Sequence, residues 1–88
     1  MTFAGLDEAA INTSVNIFPN PAQDYLNVSW QEKVELIEVS DSRGRVLNRF
    51  YVDTMNETQI NLSQYSKGVY FVHVSSEEGR SVHSFVKE

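Results

Sequence analysis

Apolar and polar residues alternate along most of this chain, and a period of two residues is typical of β-strands with one buried face. Residues 25–30 show the pattern most clearly. Their apolar members Leu26, Val28 and Trp30 share one face, which we assign to the core. Further strands are predicted at residues 14–18, 34–40, 45–53, 58–62, 69–74 and 80–87.

Several of the other strands also have a recognisable inward face. The predicted inward residues are Ile37 and Val39, Ile60 and Leu62, and Tyr70, Val72 and Val74. Residues 45–53 differ, because apolar side chains occupy both phases of the strand. One phase holds Val46, Phe50 and Val52, and the other holds Leu47 and Tyr51. A position at a sheet edge or a β-bulge would explain this double pattern.

Turn signals separate the predicted strands. Residues 41–44 begin with Asp and end with Gly, as type I β-turns often do. Residues 63–68 are expected to form one helical turn capped by Ser63 and closed by Gly68 at positive φ. Residues 75–79 are read as the turn of a closing hairpin. Between the first two strands, the two prolines of Pro19-Asn20-Pro21 stiffen the backbone, which can carry the chain from one sheet to the other.

Seven short strands at regular spacing, with no sustained helical period, predict an all-β fold. The expected architecture is a seven-stranded antiparallel immunoglobulin-like β-sandwich, and a small barrel is the alternative. Residues 14–88 would form the domain, and residues 1–13 are read as a linker that precedes it. The chain ends within the last predicted strand, and pairing of that strand into a sheet would hold the terminus.

Composition narrows the classes of function. The chain has 88 residues, 41% of them hydrophobic and 11% aromatic, which is typical of one folded domain. It has no cysteine, so cysteine usage does not indicate a redox compartment. The net charge is −5 without a basic run, which argues against binding nucleic acid or anionic lipid.

No apolar run approaches the roughly 20 residues that are needed to span a bilayer. The start lacks the basic region of a secretory signal, so the chain is either cytoplasmic or part of a longer exported protein.

The search for chemistry predicts neither a metal site nor a catalytic site. His73 and His83 could be cross-strand neighbours in the closing hairpin, but a metal site needs further ligands. Ser81, Ser84 and His83 are close along one strand, where neighbouring residues point to opposite faces, so they are not expected to converge. The chain also lacks a glycine-rich phosphate loop. We therefore expect no enzyme activity, no catalytic residue and no cofactor.

Four segments together resemble the type A C-terminal sorting domains of the type IX secretion system. The resemblance covers about residues 15–88, and its segments occur in the family's order. The motif residues are Pro19, Asn20 and Pro21 after the first strand, Asp41 and Gly44 in the central turn, Gly68 and Tyr70 before the hairpin, and Gly79, Arg80, Phe85, Val86 and Lys87 in its second strand.

The resemblance implies a sandwich fold and a role as a secretion signal on a larger cargo protein of a Gram-negative bacterium. An outer-membrane translocon would read the folded domain in the periplasm. A sortase would usually cut ahead of the first strand, and the cargo would be attached to the cell surface through an anionic lipopolysaccharide or released. Some family members keep the domain as a docking or carrier module.

The last strand is implied to be essential to the signal. Its expected recognition residues are Gly79, Arg80, Val82, His83, Phe85, Val86 and Lys87. Within this set, Phe85 and Val86 are expected to serve mainly the structure, and Arg80 and Lys87 mainly recognition. The strand could also lie at a sheet edge, where it could pair with another chain, including a second copy by strand exchange.

A different class of function stays open beside the sorting role. An immunoglobulin-like adhesion module would bind a surface ligand through exposed aromatic residues on one face or loop. Tyr25, Tyr51 and Tyr65 are the candidates for such a surface.

Overall fold

The described residues form an all-β sandwich, as the alternation predicts. The computed structural model describes residues 15–31, 33–53 and 55–88. The strands are β1 (Val15–Phe18), β2 (Tyr25–Trp30), β3 (Leu36–Asp41), β4 (Val46–Tyr51), β5 (Glu57–Asn61), β6 (Gly68–Ser76) and β7 (Gly79–Lys87). The predicted linker, residues 1–13, and Ser14 lie outside the described residues.

Two antiparallel sheets make up the sandwich. One has three strands in the order β1-β2-β5, and the other has four in the order β4-β3-β6-β7. Strands β1 and β5 border the smaller sheet, and β4 and β7 border the larger one. The two halves of the closing hairpin therefore differ in exposure, because β6 lies inside its sheet and β7 lies at the edge.

The core lies between the sheets and consists of the residues that alternation places inward. Leu26 and Val28 are fully buried, and Trp30 is 4% exposed, with its indole N–H donating to the Met55 carbonyl at 3.1 Å. The other predicted inward residues are also buried, namely Ile37, Val39, Ile60, Leu62, Tyr70, Val72 and Val74. Burial of each large apolar side chain contributes about 1.5–3 kcal/mol, so these alternating positions supply the main stabilisation of the sandwich.

A bulge explains the double apolar pattern of the fourth strand. In the β3–β4 ladder, Val39 pairs with Asn48 and Ser40 pairs with Val46, so Leu47 is an extra residue. The register shift turns the Val46 side chain outward, where it is 48% exposed. Val52, which was predicted to lie on the same face of the strand, is buried. The prediction that Val46 shares a face with Val52 is therefore wrong, because an inserted residue reverses the alternation.

The hairpin turn between β6 and β7 is tighter than predicted. Residues 75–79 were expected to form the turn, but Ser75 pairs with Arg80 and Ser76 pairs with Gly79. Only Glu77 and Glu78 remain unpaired between the strands. Backbone groups make the ladder bonds, so pairing continues through these polar residues.

The two loops next to β3 and β6 are ordered by short-range hydrogen bonds. The Asp41 carbonyl accepts from the Gly44 N–H at 3.0 Å, which confirms the predicted four-residue turn, and Gly44 has φ +88°. At residues 62–65, the Leu62 carbonyl accepts from the Tyr65 N–H at 2.9 Å. The side chain that caps this turn is Asn61, whose Oδ1 accepts from the Ser63 N–H, and the expected helical turn capped by Ser63 is absent from the described residues.

Candidate functional site

The outer edge of β7 is bordered along its second half by residues 20–22, which we call the strap. The Ala22 N–H donates to the Val86 carbonyl at 2.8 Å, and the Glu88 N–H donates to the Ala22 carbonyl at 2.8 Å. Ala22 thereby forms an isolated parallel bridge with Lys87. Strands β1 and β2 both belong to the smaller sheet, so the chain leaves that sheet to contact the larger one and then returns. The prediction that the Pro-rich segment carries the chain from one sheet to the other is therefore wrong, because β1 and β2 pair with each other and the segment only bridges to the edge of the larger sheet.

Asn20 adds side-chain bonds to the same strand. Its Oδ1 accepts from the Val86 N–H at 3.1 Å, and its Nδ2 donates to the Ser84 carbonyl at 3.4 Å. Both functional groups of one amide therefore contact backbone groups of β7. The peptide bonds that precede Pro19 and Pro21 are cis. Asn20 lies between these two prolines. Its side-chain amide accepts and donates hydrogen bonds to β7 as the peptide group of a paired strand would.

The first half of the β7 edge is open. In an antiparallel ladder, every second residue directs its backbone N–H and C=O away from the partner strand. Val86 and Ser84 direct theirs towards the strap, so Val82 and Arg80 have the same outward orientation. Within residues 15–31, 33–53 and 55–88, no other strand pairs with this half of β7. The Val82 side chain is also 51% exposed.

The predicted recognition residues divide into two groups. Phe85 is 1% exposed and stacks on Tyr70 with ring centroids 5.6 Å apart, so its side chain belongs to the core. The side chain of Val86 is instead 41% exposed, so its structural role lies in the backbone bonds to the strap. The remaining members of the set are Gly79 beside the hairpin turn, exposed Arg80 and Val82, half-buried His83, and Lys87, whose Nζ donates to the Glu88 carbonyl.

Most of the motif residues converge at one end of the larger sheet, although they are spread along the sequence, while Gly79 and Arg80 lie at the opposite end beside the hairpin turn. Asp41 pairs with Tyr70, and Tyr70 pairs with Phe85. Gly68 pairs with Lys87, which in turn bridges to the strap. The strap, the β3–β4 turn, the start of β6 and the end of β7 are therefore neighbours. No local sequence signal shows this convergence, because it depends on strand pairing over long separations.

The Asp41 carboxylate organises the β3–β4 turn at that end. Its Oδ1 accepts from the N–H groups of Arg43 and Arg45 at 2.9 and 3.0 Å, and its Oδ2 accepts from Arg45 Nε at 2.7 Å. Burial on its own would raise the pKa of Asp41. The hydrogen bonds from Arg45 and Arg43 outweigh this effect and hold the pKa below its usual value. The carboxylate is thereby kept ionised, and its oxygens accept hydrogen bonds from groups of its own turn.

The two histidines are not brought together. His73 pairs with Val82 and His83 pairs with Val72, so the expected cross-strand pairing is wrong by one register position. The two side chains thus lie on opposite faces of the sheet. His73 Nε2 lies 2.9 Å from the Ser40 hydroxyl. Among the described residues, no group of three or more ligand-type side chains could hold a metal ion.

Ser81 and His83 lie closer together than expected. Positions two apart share a strand face, and Ser81 Oγ lies 2.9 Å from His83 Nε2. The prediction that the two serines do not converge with His83 is therefore wrong for Ser81. It holds for Ser84, which is adjacent to His83 and points to the opposite face. Burial is the cause that lowers the pKa of His83.

The three tyrosines considered for adhesion lie on separate elements. Tyr25 is on β2 of the smaller sheet, and Tyr51 ends β4 of the larger sheet. Tyr65 lies in the loop before β6, half-buried against Tyr70 at 5.1 Å between ring centroids. Among the described residues, the aromatic contacts of this set are limited to that of Tyr65 with Tyr70.

Comparison with known proteins gives one family. The family described as secretion system C-terminal sorting domain matches residues 16–88. No curated protein matches the chain. In the described part of the chain, no helix has the length and apolar character needed to cross a membrane.

Among solved structures, the chain is similar to the CBM51-2 and INT domains from Clostridium perfringens ZmpB. The TM-score is 0.56 at 22% sequence identity, and the alignment covers 77% of this chain and 16% of that one. At this identity the likeness shows the sandwich fold alone.

Proposed function

The chain belongs to the secretion system C-terminal sorting domains of type IX secretion, and from this membership we propose that it delivers a larger cargo through the outer-membrane translocon. The observation that carries the proposal is the family match over residues 16–88, which spans every strand from β2 to β7 and most of β1. As a sorting signal, the domain is part of a cargo that is exported towards the cell surface or the medium.

We propose that the translocon reads the folded domain in the periplasm at the open half of the β7 edge. Unpaired backbone groups can accept an added strand, and neighbouring side chains then provide specificity. Arg80 and Val82 present both features there, since their backbone groups point outward and the Val82 side chain is half exposed. Lys87 would add a positive charge at the strap end of the strand. Phe85 would act only by holding β7 in the sheet.

Two later steps complete the proposed pathway. A sortase would cut ahead of β1 and leave the cargo attached to the outer surface of a Gram-negative cell or released. The segment that would hold the cleavage position lies outside the described residues. Retention of the domain as a docking or carrier module is the alternative end point. A homodimer formed by exchange of β7 stays a prediction.

We propose that the domain acts by recognition and has no enzyme activity. Two serine–histidine pairs lie at hydrogen-bond distance, namely Ser81 with His83 and Ser40 with His73, each at 2.9 Å. A catalytic histidine needs an orienting carboxylate or carbonyl and a neighbouring oxyanion site. Within the described residues, Ser81 is the only side chain that bonds to His83, and burial lowers its pKa without a charged partner.

Secretion of a reporter tests the proposal. The full chain is fused to the end of an exported fluorescent protein in a host that has the type IX machinery, and surface and medium fluorescence are compared with the periplasmic fraction. Two variants address the open edge, namely Arg80→Gln and Val82→Thr, which keep strand propensity and touch only exposed side chains. The matched control is Val46→Thr, a valine of similar exposure on the opposite edge strand.

Each outcome bears on a different part of the proposal. We expect delivery by the intact chain, reduced delivery with the combined Arg80→Gln and Val82→Thr changes, and normal delivery with Val46→Thr. Equal delivery by the edge variant and the intact fusion would show that the translocon recognises a different surface of the domain. Delivery of a reporter that lacks residues 15–88 altogether would contradict the sorting function itself.

A further inference from the structure

An open groove lies between the β3–β4 turn and the loop that leads into β6. Its volume is about 560 Å³, and its walls include the turn residues Asp41 and Arg43 and the loop residues Gln64 to Lys67. Tyr65 and Tyr70 form its aromatic part, with ring centroids 5.1 Å apart. A volume of this size falls within the roughly 300–1,000 Å³ that is usual for small-ligand sites.

The charge of the groove is opposite to that of the chain. Arg43, Arg45 and Lys67 line it, and they are three of the seven basic residues in a chain of net charge −5. A concave surface lined by one sign of charge concentrates the opposite charge from solution. The groove therefore attracts anions although the whole molecule repels them.

The one carboxylate in the groove wall does not balance this charge. Asp41 is the only acidic residue among the lining residues, and its two oxygens already accept three hydrogen bonds within the turn. It pairs with Arg45 through a single Nε contact of 2.7 Å. Within the described residues, Arg43 and Lys67 form no salt bridge, so two positive charges remain available.

A neutral hydrogen-bond donor faces the same space. The Tyr65 hydroxyl accepts from Asn48 Nδ2 at 2.8 Å, so its own proton is free to donate elsewhere. In the part of the chain that the structure describes, no acceptor lies within bonding distance of that proton. Tyr65 is half-buried, and burial is the main cause that raises its pKa, so the hydroxyl keeps its proton at neutral pH. The exposed amide of Gln64 adds another donor.

We propose that this groove binds an oxyanion, meaning a carboxylate or phosphate group carried by a ligand. Guanidinium and ammonium groups make short, charge-assisted hydrogen bonds to such oxygens, and the Tyr65 hydroxyl adds a directional one. The site is separate from the open half of the β7 edge, and its binding does not depend on the sorting function.

Titration of the isotope-labelled 88-residue chain tests the site. Sodium phosphate and sodium acetate are added separately at constant ionic strength, with sodium chloride as the reference, and amide chemical shifts are followed by NMR. We expect saturable shifts confined to residues 41–48 and 64–70, with a dissociation constant on the order of 1 mM for a single small anion. Saturation by phosphate alone assigns a phosphate-bearing ligand, and saturation by acetate assigns a carboxylate-bearing one.

Variants separate a built site from a general charge effect. The combined Arg43→Gln and Lys67→Gln changes are expected to weaken binding by at least about tenfold. The matched control, Lys33→Gln with Arg49→Gln, removes the same charge outside the groove and should leave binding unchanged. Tyr65→Phe removes only the hydroxyl and should weaken binding by roughly threefold or more. The proposal is overturned if neither anion gives saturable shifts, or if the control pair weakens binding as much as the groove pair.

Discussion

The side-chain oxygen of Asn20 accepts a hydrogen bond from the backbone N–H of Val86 at 3.1 Å, across 66 positions of sequence. The same amide donates to the Ser84 carbonyl, and Ala22 bonds to both Val86 and Glu88. The first loop of the domain thus holds its last strand in place. An edge strand that is bordered in this way has one end closed to other chains and one end open, which confines strand addition to the open half.

Asn20→Ala is expected to loosen the end of β7 without unfolding the domain. The change removes both amide contacts and leaves the Val86 N–H without its partner, at a cost of about 1 kcal/mol. Hydrogen exchange should become roughly fivefold faster at Val86 and Glu88, since exchange follows the free energy of local opening. Exchange in β3 and β6 should stay the same. Mass-resolved or NMR-detected exchange on the full chain measures both.

Asn16→Ala is the matched control for this change. Asn16 is an exposed asparagine on β1, and its side chain makes no hydrogen bond with the described residues. Its replacement should leave exchange in β7 unchanged. Equal exchange rates at Val86 in the Asn20→Ala variant and the native chain would show that the strap holds the strand without the amide.

Phe85→Ala is expected to remove a large part of the stability of the sandwich. The ring is 1% exposed and stacks on Tyr70, so its loss leaves a cavity beside the core. Such truncations cost about 3–5 kcal/mol, which is a large part of the roughly 5–15 kcal/mol that stabilises a domain. Thermal unfolding followed by circular dichroism should show a fall in Tm of more than about 12 °C.

Phe18→Ala tests whether that effect comes from burial. Phe18 ends β1 and is 51% exposed, so the same truncation there should cost about 1 kcal/mol or less. A similar fall in Tm for both variants would contradict the assignment of Phe85 to the core.

Gly44 is expected to tolerate asparagine better than alanine. Its φ of +88° is in the region that L-residues avoid, while no atom lies within 4 Å of an added Cβ. The cost of Gly44→Ala is therefore backbone strain alone, about 1–2 kcal/mol. Gly44→Asn should cost less, because asparagine adopts positive φ more readily. Urea denaturation of the two variants gives the comparison, and equal costs would mean that the turn relaxes on substitution.

Much of the fold could be predicted because alternation is a local signal. Leu26, Val28 and Trp30 lie two residues apart, and one buried face accounts for all of them. The alternation did not predict the orientation of Val46, because the double apolar pattern of β4 indicates an edge or a bulge but not the position of the extra residue, which depends on the register with β3. Local periodicity thus determines which face is buried only while the ladder is continuous.

The site could be predicted only in part, and for a related reason. The motif residues Asn20 and Val86 were both identified, but nothing in the sequence indicates that they bond to each other. Their contact exists because the Pro-rich segment between two strands of the smaller sheet reaches the edge of the larger one. The role expected for Val86 also changed, since a backbone contact leaves the side chain free to be exposed.

His83 is expected to make stability depend on pH in a defined window. Burial lowers the pKa of its ring in the folded state, so the unfolded chain binds a proton more readily. The unfolded state then carries more protons below the reference pKa of about 6.5, and the free energy of unfolding falls as the pH falls through that value towards the lower folded pKa. Above about pH 7.5 both states are neutral at this position and the effect disappears.

Urea denaturation at about pH 7.5, pH 6.5 and pH 5.5 measures the effect on the native chain, His83→Gln and His73→Gln. The loss of stability between the highest and lowest pH should be smaller in His83→Gln than in the native chain. His73→Gln is the matched control, because it removes the other histidine, which lies on the opposite face and bonds to Ser40. An undiminished loss in His83→Gln would assign the pH dependence to another group.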